Sequence, residues 1–308
     1  MVPAVHIRRA EPGDTPAIRE LCAASLPLDP DAAALPDLLL GAPDGDGRVA
    51  LAAESDGTVS GAVFGSLSRR TAGAHGYLDL LAVAPPARGR GTGAALLRAA
   101  EQELAARGAQ GFRLAGNPPL YAWPGVDSRY AAMVALAGRA GYEREAEALN
   151  MAVDLAAGPP GTDPLNTAAD EARLAEDGIT VRRAAAGEAG PIGRWLAQGP
   201  WGGSSWPAEV GISLALDPPG CHIAERAGQY LAFASHGVNR RGWFGPMGTL
   251  DAERRRGIGA VLLKRCLADI RDSGLDSAQI CWTGPVQFYA CAVGAVPDRV
   301  FWLYRKDR

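Results

Sequence analysis

Apolar and polar positions alternate between two periods along this chain, and they do so twice. Residues 78–83 are apolar except for Asp79 and are rich in strand formers, and Pro85 and Pro86 stop the strand they predict. A loop of Arg88, Gly89, Arg90, Gly91, Thr92 and Gly93 follows. From Ala94 the apolar residues Leu96, Leu97, Ala100 and Leu104 recur at helical spacing, and Gly108 marks the stop. The same strand, Arg–Gly loop and helix return over residues 247–274, with Gly274 as the stop.

The flanking patterns repeat as well. A strand over residues 5–10, a helix to about residue 24 capped by Asp14 or Thr15, a Pro- and Asp-rich stretch over 26–47 with a short helix, and a hairpin of strands 49–55 and 59–67 precede the first loop. Asp56-Gly57 is the hairpin turn. A strand over 111–115, a Pro-rich loop over 117–127, a helix over 128–140 and a strand over 148–155 follow. Residues 156–178 lack an apolar period apart from a short helix near 168–175. Then Arg182-Arg183-Ala184 restates Arg8-Arg9-Ala10. A Trp-, Gly- and Ser-rich loop over 198–207 follows, then a short helix over 208–215 and strands over 222–227, 230–235 and 243–250. After the second loop and helix come a strand over 277–283, a helix over 286–293 and a strand over 300–305. The chain reads as an internal duplication: an N-terminal domain over residues 1–157, a linker over 158–178 and a C-terminal domain over 179–308.

Composition narrows the function. The 308 residues suit two domains. The net charge of −3 gives no electrostatic case for nucleic acid or an anionic membrane. No apolar run approaches the ~18 residues of a membrane span. Five cysteines without a Cys-x-x-Cys pair read as free thiols in a reducing cytoplasm, and the four histidines show no metal-ligand spacing. No metal is expected.

The chemistry lies in the loops. A helix that begins inside a glycine run leaves its first N–H groups uncovered, and these with the helix dipole and adjacent arginines favour a phosphate or pyrophosphate. A dinucleotide fingerprint fits poorly. It wants an acidic residue at the end of the next strand, where Gly116-Asn117-Pro118-Pro119 stand, and the second copy breaks its spacing.

Arg-x-x-Gly-x-Gly after Leu-x-Val-x-Pro, carried by Arg88, Gly91 and Gly93, resembles the acyl-CoA loop of the GNAT superfamily of N-acetyltransferases, and Arg254, Gly257 and Gly259 take the same three motif positions in the second copy. The resemblance implies an α/β (α+β) fold of two tandem GNAT domains, each a mixed, mostly antiparallel splayed sheet flanked by helices. It implies acetyl-CoA as co-substrate, threaded into the splay. Pantetheine would pair with Leu81 and Val83 in the first copy and with Met247 and Thr249 in the second. The pyrophosphate would rest on Gly89, Arg90, Gly91, Thr92 and Gly93, and on Arg255, Arg256, Gly257, Ile258 and Gly259.

The implied reaction moves an acetyl group to a primary amine of a small molecule by direct attack in a ternary complex. The implied partner is that amine, with neither nucleic acid nor membrane involved, and the state is a monomer or homodimer. Tyr289 matches the family's tyrosine acid, so the C-terminal domain is expected to be catalytic. The first copy has Ala137 there, with Tyr121 and Tyr130 nearby, but carries Asp79 on the fourth strand, where an acid relays protons. Glu225 is a weaker base candidate in the second copy. The family's usual Asn ahead of the tyrosine helix is absent, Trp282 to Gly284 standing there. The alternative is a non-catalytic, regulatory acyl-CoA-binding protein. The loops over 26–47, 117–127 and 198–207 are expected to shape the acceptor pocket, and the aromatics of the last two (Tyr121, Trp123, Trp201, Trp206) suggest either an apolar or ring-bearing acceptor or packing between the domains.

Overall fold

A computed structural model describes residues 6–41, 48–55, 57–70, 73–156 and 163–307. The turn residue Asp56 and parts of the expected 26–47 loop and 158–178 linker lie outside these residues. The chain divides into two compact units, residues 1–148 with 300–308, and residues 149–299.

In unit 1, β1 (His6–Arg9), β2 (Val49–Ser55), β3 (Thr58–Ser68) and β4 (His75–Val83) pair antiparallel in that order. Strand β4 then pairs parallel with β5 (Gly111–Leu114), from His75↔Gly111 to Leu78↔Leu114. Beyond Leu78, β4 runs on to Val83 and the two strands part. Helices α1 (Thr15–Ser25) and α2 (Leu35–Gly41) lie between β1 and β2 in sequence. Helix α3 (Thr92–Ala106) follows the first loop, and it buries Leu96, Leu97, Ala100 and Leu104, the residues whose spacing predicts it. They meet Val63, Leu78 and Phe112 of the sheet in one core.

A two-residue strand, β6 (Val126–Asp127), precedes α4 (Ala131–Arg139). Asp127 accepts hydrogen bonds from the Arg129 amide at 2.9 Å and from its guanidinium at 3.0 and 2.8 Å. This turn delays the helix by three residues relative to the sequence expectation of residue 128.

Unit 2 takes the distal part of β7 (Glu143–Asp154), which pairs antiparallel with β12 (Ser277–Ile280) once the chain has passed through α5 (Ala168–Glu176), β8 (Ile179–Arg183), α6 (Ala189–Gln198), α7 (Trp206–Leu214), β9 (Cys221–Arg226), β10 (Gln229–His236), β11 (Trp243–Thr249) and α8 (Ile258–Asp272). Strands β8, β9, β10 and β11 pair antiparallel in order, and β11 pairs parallel with β12 at Trp243↔Gln279 and Phe244↔Ile280. Helix α9 (Val286–Val293) and β13 (Val296–Asp307) close the chain.

Two features differ from the sequence expectation. The last strand, expected to close the second domain, pairs its end with β5 of unit 1, at Arg305↔Arg113 and Lys306↔Phe112, and the Lys306 ammonium meets the buried Glu101 carboxylate at 2.9 Å. Residues 149–154, expected to close the first domain, pair within unit 2. Periodicity identifies a strand but not its partner, so the sequence alone places each closing strand with its nearest neighbours. The expected linker also holds α5, whose Leu174 is buried in the unit 2 core and whose Glu171 takes both ends of Arg265 at 2.7 and 2.6 Å.

The duplication survives in side-chain detail. Arg8 holds Asp14 at 2.7 and 2.9 Å and Glu54 at 2.9 Å. Arg182 holds Glu188 at 2.7 and 2.8 Å and Glu225 at 3.1 and 3.0 Å. Glu225, a base candidate from sequence, is engaged in this pair.

In unit 2, three strands converge on one carboxylate of α8. Asp269 receives Arg183 of β8 at 2.6 Å, His222 of β9 at 2.7 Å and His236 of β10 at 3.2 Å. Burial pushes its carboxyl up, but the hydrogen bonds from His222, His236 and Arg183 outweigh burial and hold it well below the usual carboxylate range. A lowered folded-state value contributes stability that is present above the unfolded value of about 4 and is lost as pH falls below it. Asp269→Ala is therefore expected to destabilise unit 2 by roughly 3 kcal/mol at neutral pH, read by denaturant unfolding. The gap from wild type should narrow as the pH falls below about 4.

Candidate active site

The first loop starts from a helix that begins abnormally. Gly91 caps α3 at φ 86°, a left-handed conformation that L side chains resist, and Gly89 sits at φ 74°. The Ala95 amide is the first to bond back, to the Gly91 carbonyl at 3.0 Å. Among the described residues, no backbone carbonyl takes the amides of residues 89–93. These open donors, at the positive end of a helix, form the cradle expected for a pyrophosphate.

Arg88 is less free than its place in the motif suggests. Its guanidinium donates to the Val83 carbonyl at 3.0 Å and the Ser25 carbonyl at 3.1 Å. The Ser25 hydroxyl donates to the same Val83 carbonyl at 3.1 Å. Arg88 thus braces the end of α1 against the end of β4. The Val83 carbonyl, expected to pair with pantetheine, is already satisfied, and Leu81 keeps its backbone groups toward the splay.

Asp79 stands where β4 and β5 part. The register of β4 on β3 shifts between Phe64↔Leu80 and Gly65↔Leu78, so Asp79 is the extra residue of a bulge. Bulges re-aim a side chain. Asp79 is 3% exposed, its Oδ1 has no hydrogen-bond partner, and burial pushes its carboxyl up to about 7 against the opposing effects of the Ser66 hydroxyl and the Arg48 charge. Burial at this level excludes a solvated charge on the strand edge.

Asp79 lines a cavity of about 540 Å³ within unit 1. The cavity also meets Leu81, Val83, Arg88, Gly89, Gly91, Thr92 and Gly93, which brings together every first-copy cofactor residue named from sequence except Arg90. Its far wall is Leu26, Pro27, Trp123, Asp127, Tyr130, Met133 and Leu136. That wall is pinned from behind. The Trp123 indole donates to Asp29 Oδ1 at 3.0 Å and the Tyr130 hydroxyl to Asp29 Oδ2 at 2.8 Å, while the Leu28 amide donates to the Tyr130 hydroxyl at 3.2 Å. The two acceptor loops expected from sequence in this half therefore meet through Asp29, which sequence reasoning missed. A lone Asp in a Pro- and Asp-rich stretch carries no signal of a partner some hundred residues away.

The second copy keeps the cradle and changes what surrounds it. Gly257 caps α8 at φ 88°, and among the described residues no backbone carbonyl takes the amides of residues 255–259. Arg254 pairs with Asp251 at 2.8 Å, and Arg256 with Asp177 at 3.1 Å and Glu253 at 3.3 Å. Arg255 adopts φ 63°, Ile258 is buried in the core, and Met247 reaches toward Gly259. Arg173 of α5 donates to the Arg256 carbonyl at 3.1 Å and lies over Gly257.

The bulge of β11 falls between Met247 and Phe244, at Gly245 and Pro246, with no carboxylate there. Trp201 covers β11: a Cβ on Gly248, next to Thr249, would lie 2.6 Å from its ring. Trp201, Trp195 and Trp206 cluster on Phe233, so the aromatics of this loop fill unit 2. Tyr289 is 6% exposed between Phe244 and Phe288, with ring centroids at 6.2 and 5.0 Å, and burial pushes its hydroxyl up to about 12.

Among the described residues no group of three His, Cys, Asp or Glu could hold a metal ion, and no helix is long and apolar enough to cross a membrane.

Residues 16–122 match the model of the Acetyltransferase (GNAT) family. No curated protein matches the sequence. Among solved structures, the chain is similar to the GCN5-related glucosamine N-acetyltransferase region of a fungal multi-domain GH3 β-N-acetylglucosaminidase. That match has a TM-score of 0.78 and 20% identity over 99% of this chain, which spans 38% of that one. It is also similar to a tandem GNAT protein from the clavulanic acid biosynthesis pathway, at TM-score 0.70 and 15% identity, covering 99% of this chain and 98% of that one. A GCN5-related N-acetyltransferase from Sphaerobacter thermophilus gives a TM-score of 0.65 and 21% identity, covering 98% and 95%. At these identities the likeness shows the fold, which is that of two tandem GNAT units.

Proposed function

We propose, on the premise that this chain is a tandem protein of the GNAT superfamily whose first unit is a GNAT acetyltransferase domain, that unit 1 transfers an acetyl group from acetyl-CoA to the primary amine of a small molecule. The observation that carries this reading is the cavity, in which the loop amides, the parted strand β4 and a buried carboxyl without a partner on Oδ1 meet in one place. Acetyl-CoA supplies the electrophilic carbonyl: the C–N bond to the amine forms as the C–S bond breaks.

The chain's own part is positional and electrostatic. Amides 89–93 hold the pyrophosphate, and Leu81 orders the pantetheine arm. The Leu81 amide faces the carbonyl oxygen as it gains charge. Asp79 takes the proton that the attacking nitrogen releases, and the thiolate takes its proton from water. A carboxyl held near 7 suits this exchange at neutral pH. The acceptor end combines one available acid with an apolar wall of Leu26, Trp123 and Met133, which favours an amine with an apolar or ring-bearing body.

Unit 2 supports a different role. Its cradle can hold a second coenzyme A, but the carboxylate of the bulge is absent and Trp201 covers the strand. Tyr289→Phe is expected to leave turnover within about twofold of wild type, since its hydroxyl sits in a core of aromatic rings. A loss of 100-fold or more would return the chemistry to unit 2. The test of the overall reading is release of free thiol from acetyl-CoA across a panel of amines. Turnover that favours aromatic and aliphatic amines supports it, and the absence of thiol release with every amine in the panel would favour the non-catalytic alternative. Asp29→Ala removes the carboxylate that holds the Trp123 indole and the Tyr130 hydroxyl, and should raise the acceptor KM about tenfold or more with little change in the KM for acetyl-CoA.

A further inference from the structure

The bonds of Arg88 leave the first cradle short of a cation. The motif places this residue for the phosphates, but its guanidinium is spent on the Val83 and Ser25 carbonyls. The open amides of residues 89–93 can bond phosphate oxygens, yet they carry only partial charge. Four charged side chains line the cavity. Arg88 is engaged, Asp127 is held by the Arg129 guanidinium at 3.0 and 2.8 Å, and Asp79 is a buried acid. The fourth is Arg139. It is exposed, and among the described residues its side chain makes no hydrogen bond or ion pair.

Arg139 stands in the last turn of α4, on the face that lines the cavity. Ala132, Leu136 and Arg139 follow one another at helical spacing along that face. The helix begins beside Tyr130, on the acceptor wall. One turn before Arg139, Leu136 reaches the cradle: its Cδ2 lies 3.5 Å from where a Cβ on Gly93 would stand. The helix therefore carries Arg139 onward from the cradle, away from the acceptor wall. A helix C-terminus favours a cation through its dipole, which accounts for an arginine in the last turn but not for its place on the cavity face. In unit 2 a guanidinium from outside the loop also lies over the cradle, that of Arg173 over Gly257.

We propose that Arg139 is a further binding residue of unit 1: its guanidinium takes a phosphate oxygen of the acyl-CoA, the contact that Arg88, bound to two carbonyls, does not make. The inference rests on the reading of unit 1 as the acetyl-CoA site. Coenzyme A offers the same chemistry in two places, the pyrophosphate and the 3′-phosphate. Both are anionic at neutral pH, and a guanidinium bonds either through paired N–H donors. Arg139 does not touch the reacting atoms. Its effect is on how tightly the donor is held, whatever acyl group the thioester carries.

The test compares wild type with Arg139→Gln and Arg139→Lys in the full chain, by calorimetric titration of acetyl-CoA and by kcat/KM with the best amine of the panel. Arg139→Gln should raise the Kd of the site that Gly91→Glu removes by about tenfold, and should lower kcat/KM for acetyl-CoA by a similar factor. Arg139→Lys should recover most of both. S-acetylpantetheine carries no phosphate, so its kcat/KM should be the same in wild type and Arg139→Gln, which separates a lost phosphate contact from a disturbed fold. The 3′-dephospho form of acetyl-CoA identifies the phosphate. If Arg139→Gln costs nothing with it, the partner is the 3′-phosphate, and if the loss persists, the partner is the pyrophosphate; each result supports the proposal. An unchanged acetyl-CoA affinity in Arg139→Gln overturns it, and so does an equal loss with S-acetylpantetheine. The reading beneath it fails differently. If wild type and Gly91→Glu titrate alike, unit 1 holds no acetyl-CoA, and Arg139 has no phosphate to take.

Discussion

Asp79→Asn is expected to lower kcat for acetyl transfer by about 10²–10⁴-fold, the usual worth of a positioned acid or base, while coenzyme A binds with unchanged affinity. The separation of the two effects follows from the geometry. Asp79 sits in the bulge where β4 and β5 part, whereas the cofactor cradle is the run of amides at the start of α3, further along the chain. Asparagine fills the same volume but cannot take a proton.

The same substitution should raise thermal stability above neutral pH. The folded-state carboxyl is raised from its ordinary value to about 7. A raised acid costs stability where the folded carboxylate must ionise, so the cost develops as pH rises from about 4 and is complete above 7. At pH 8 the Asn variant avoids that cost. A variant both slower and more stable distinguishes a functional carboxyl from a structural one, whose removal would lower the melting temperature. If Asp79→Asn melts lower and turns over normally, the buried acid is part of the core and nothing more.

How far this could be read from the sequence depended on the range of the interactions. The cradles were legible because everything that makes them is local: a strand, two glycines that tolerate left-handed φ, and a helix whose apolar residues recur every three to four positions. The duplication was legible for the same reason, down to Arg8 and Arg182. The exchange of closing strands was not, because residues 149–154 and 300–307 have the same alternation whichever sheet receives them. Asp79 was visible as a candidate proton relay, but its burial and its place in the cavity were not. Its placement depends on a one-residue slip in the register of β3 on β4, which no local pattern reports. Tyr289 is the reverse case. Its spacing fits the motif, while the rings of Phe244 and Phe288 that enclose it come from a strand and a helix whose packing is settled only in three dimensions. Asp29 and the Trp123–Tyr130 wall join segments far apart in sequence, and composition suggested aromatics there without saying what would hold them.

Gly91→Glu is expected to remove coenzyme A binding from unit 1, with Kd rising by about 100-fold or more, and to abolish turnover with it. Two effects act together. Position 91 has φ 86°, which a side chain adopts only under strain, and no atom lies within 4 Å of where its Cβ would stand. The added carboxylate therefore extends freely over the amides of residues 89–93 and competes with the pyrophosphate for them by charge. At Gly257 the same substitution meets Arg173, whose Nη2 lies 2.7 Å from the Cβ position. A glutamate there is drawn into a pair with that guanidinium and closes the second cradle. Calorimetric titration of acetyl-CoA should then show two sites in wild type. Gly91→Glu should retain one site and no turnover, and Gly257→Glu should retain one site and full turnover. The pairing of site loss with activity loss decides which unit does the chemistry. Turnover that survives Gly91→Glu and disappears with Gly257→Glu would place it in unit 2, and Trp201 and Tyr289 would then have to move to admit an acceptor. Identical heats in all three proteins would show that neither cradle binds the coenzyme.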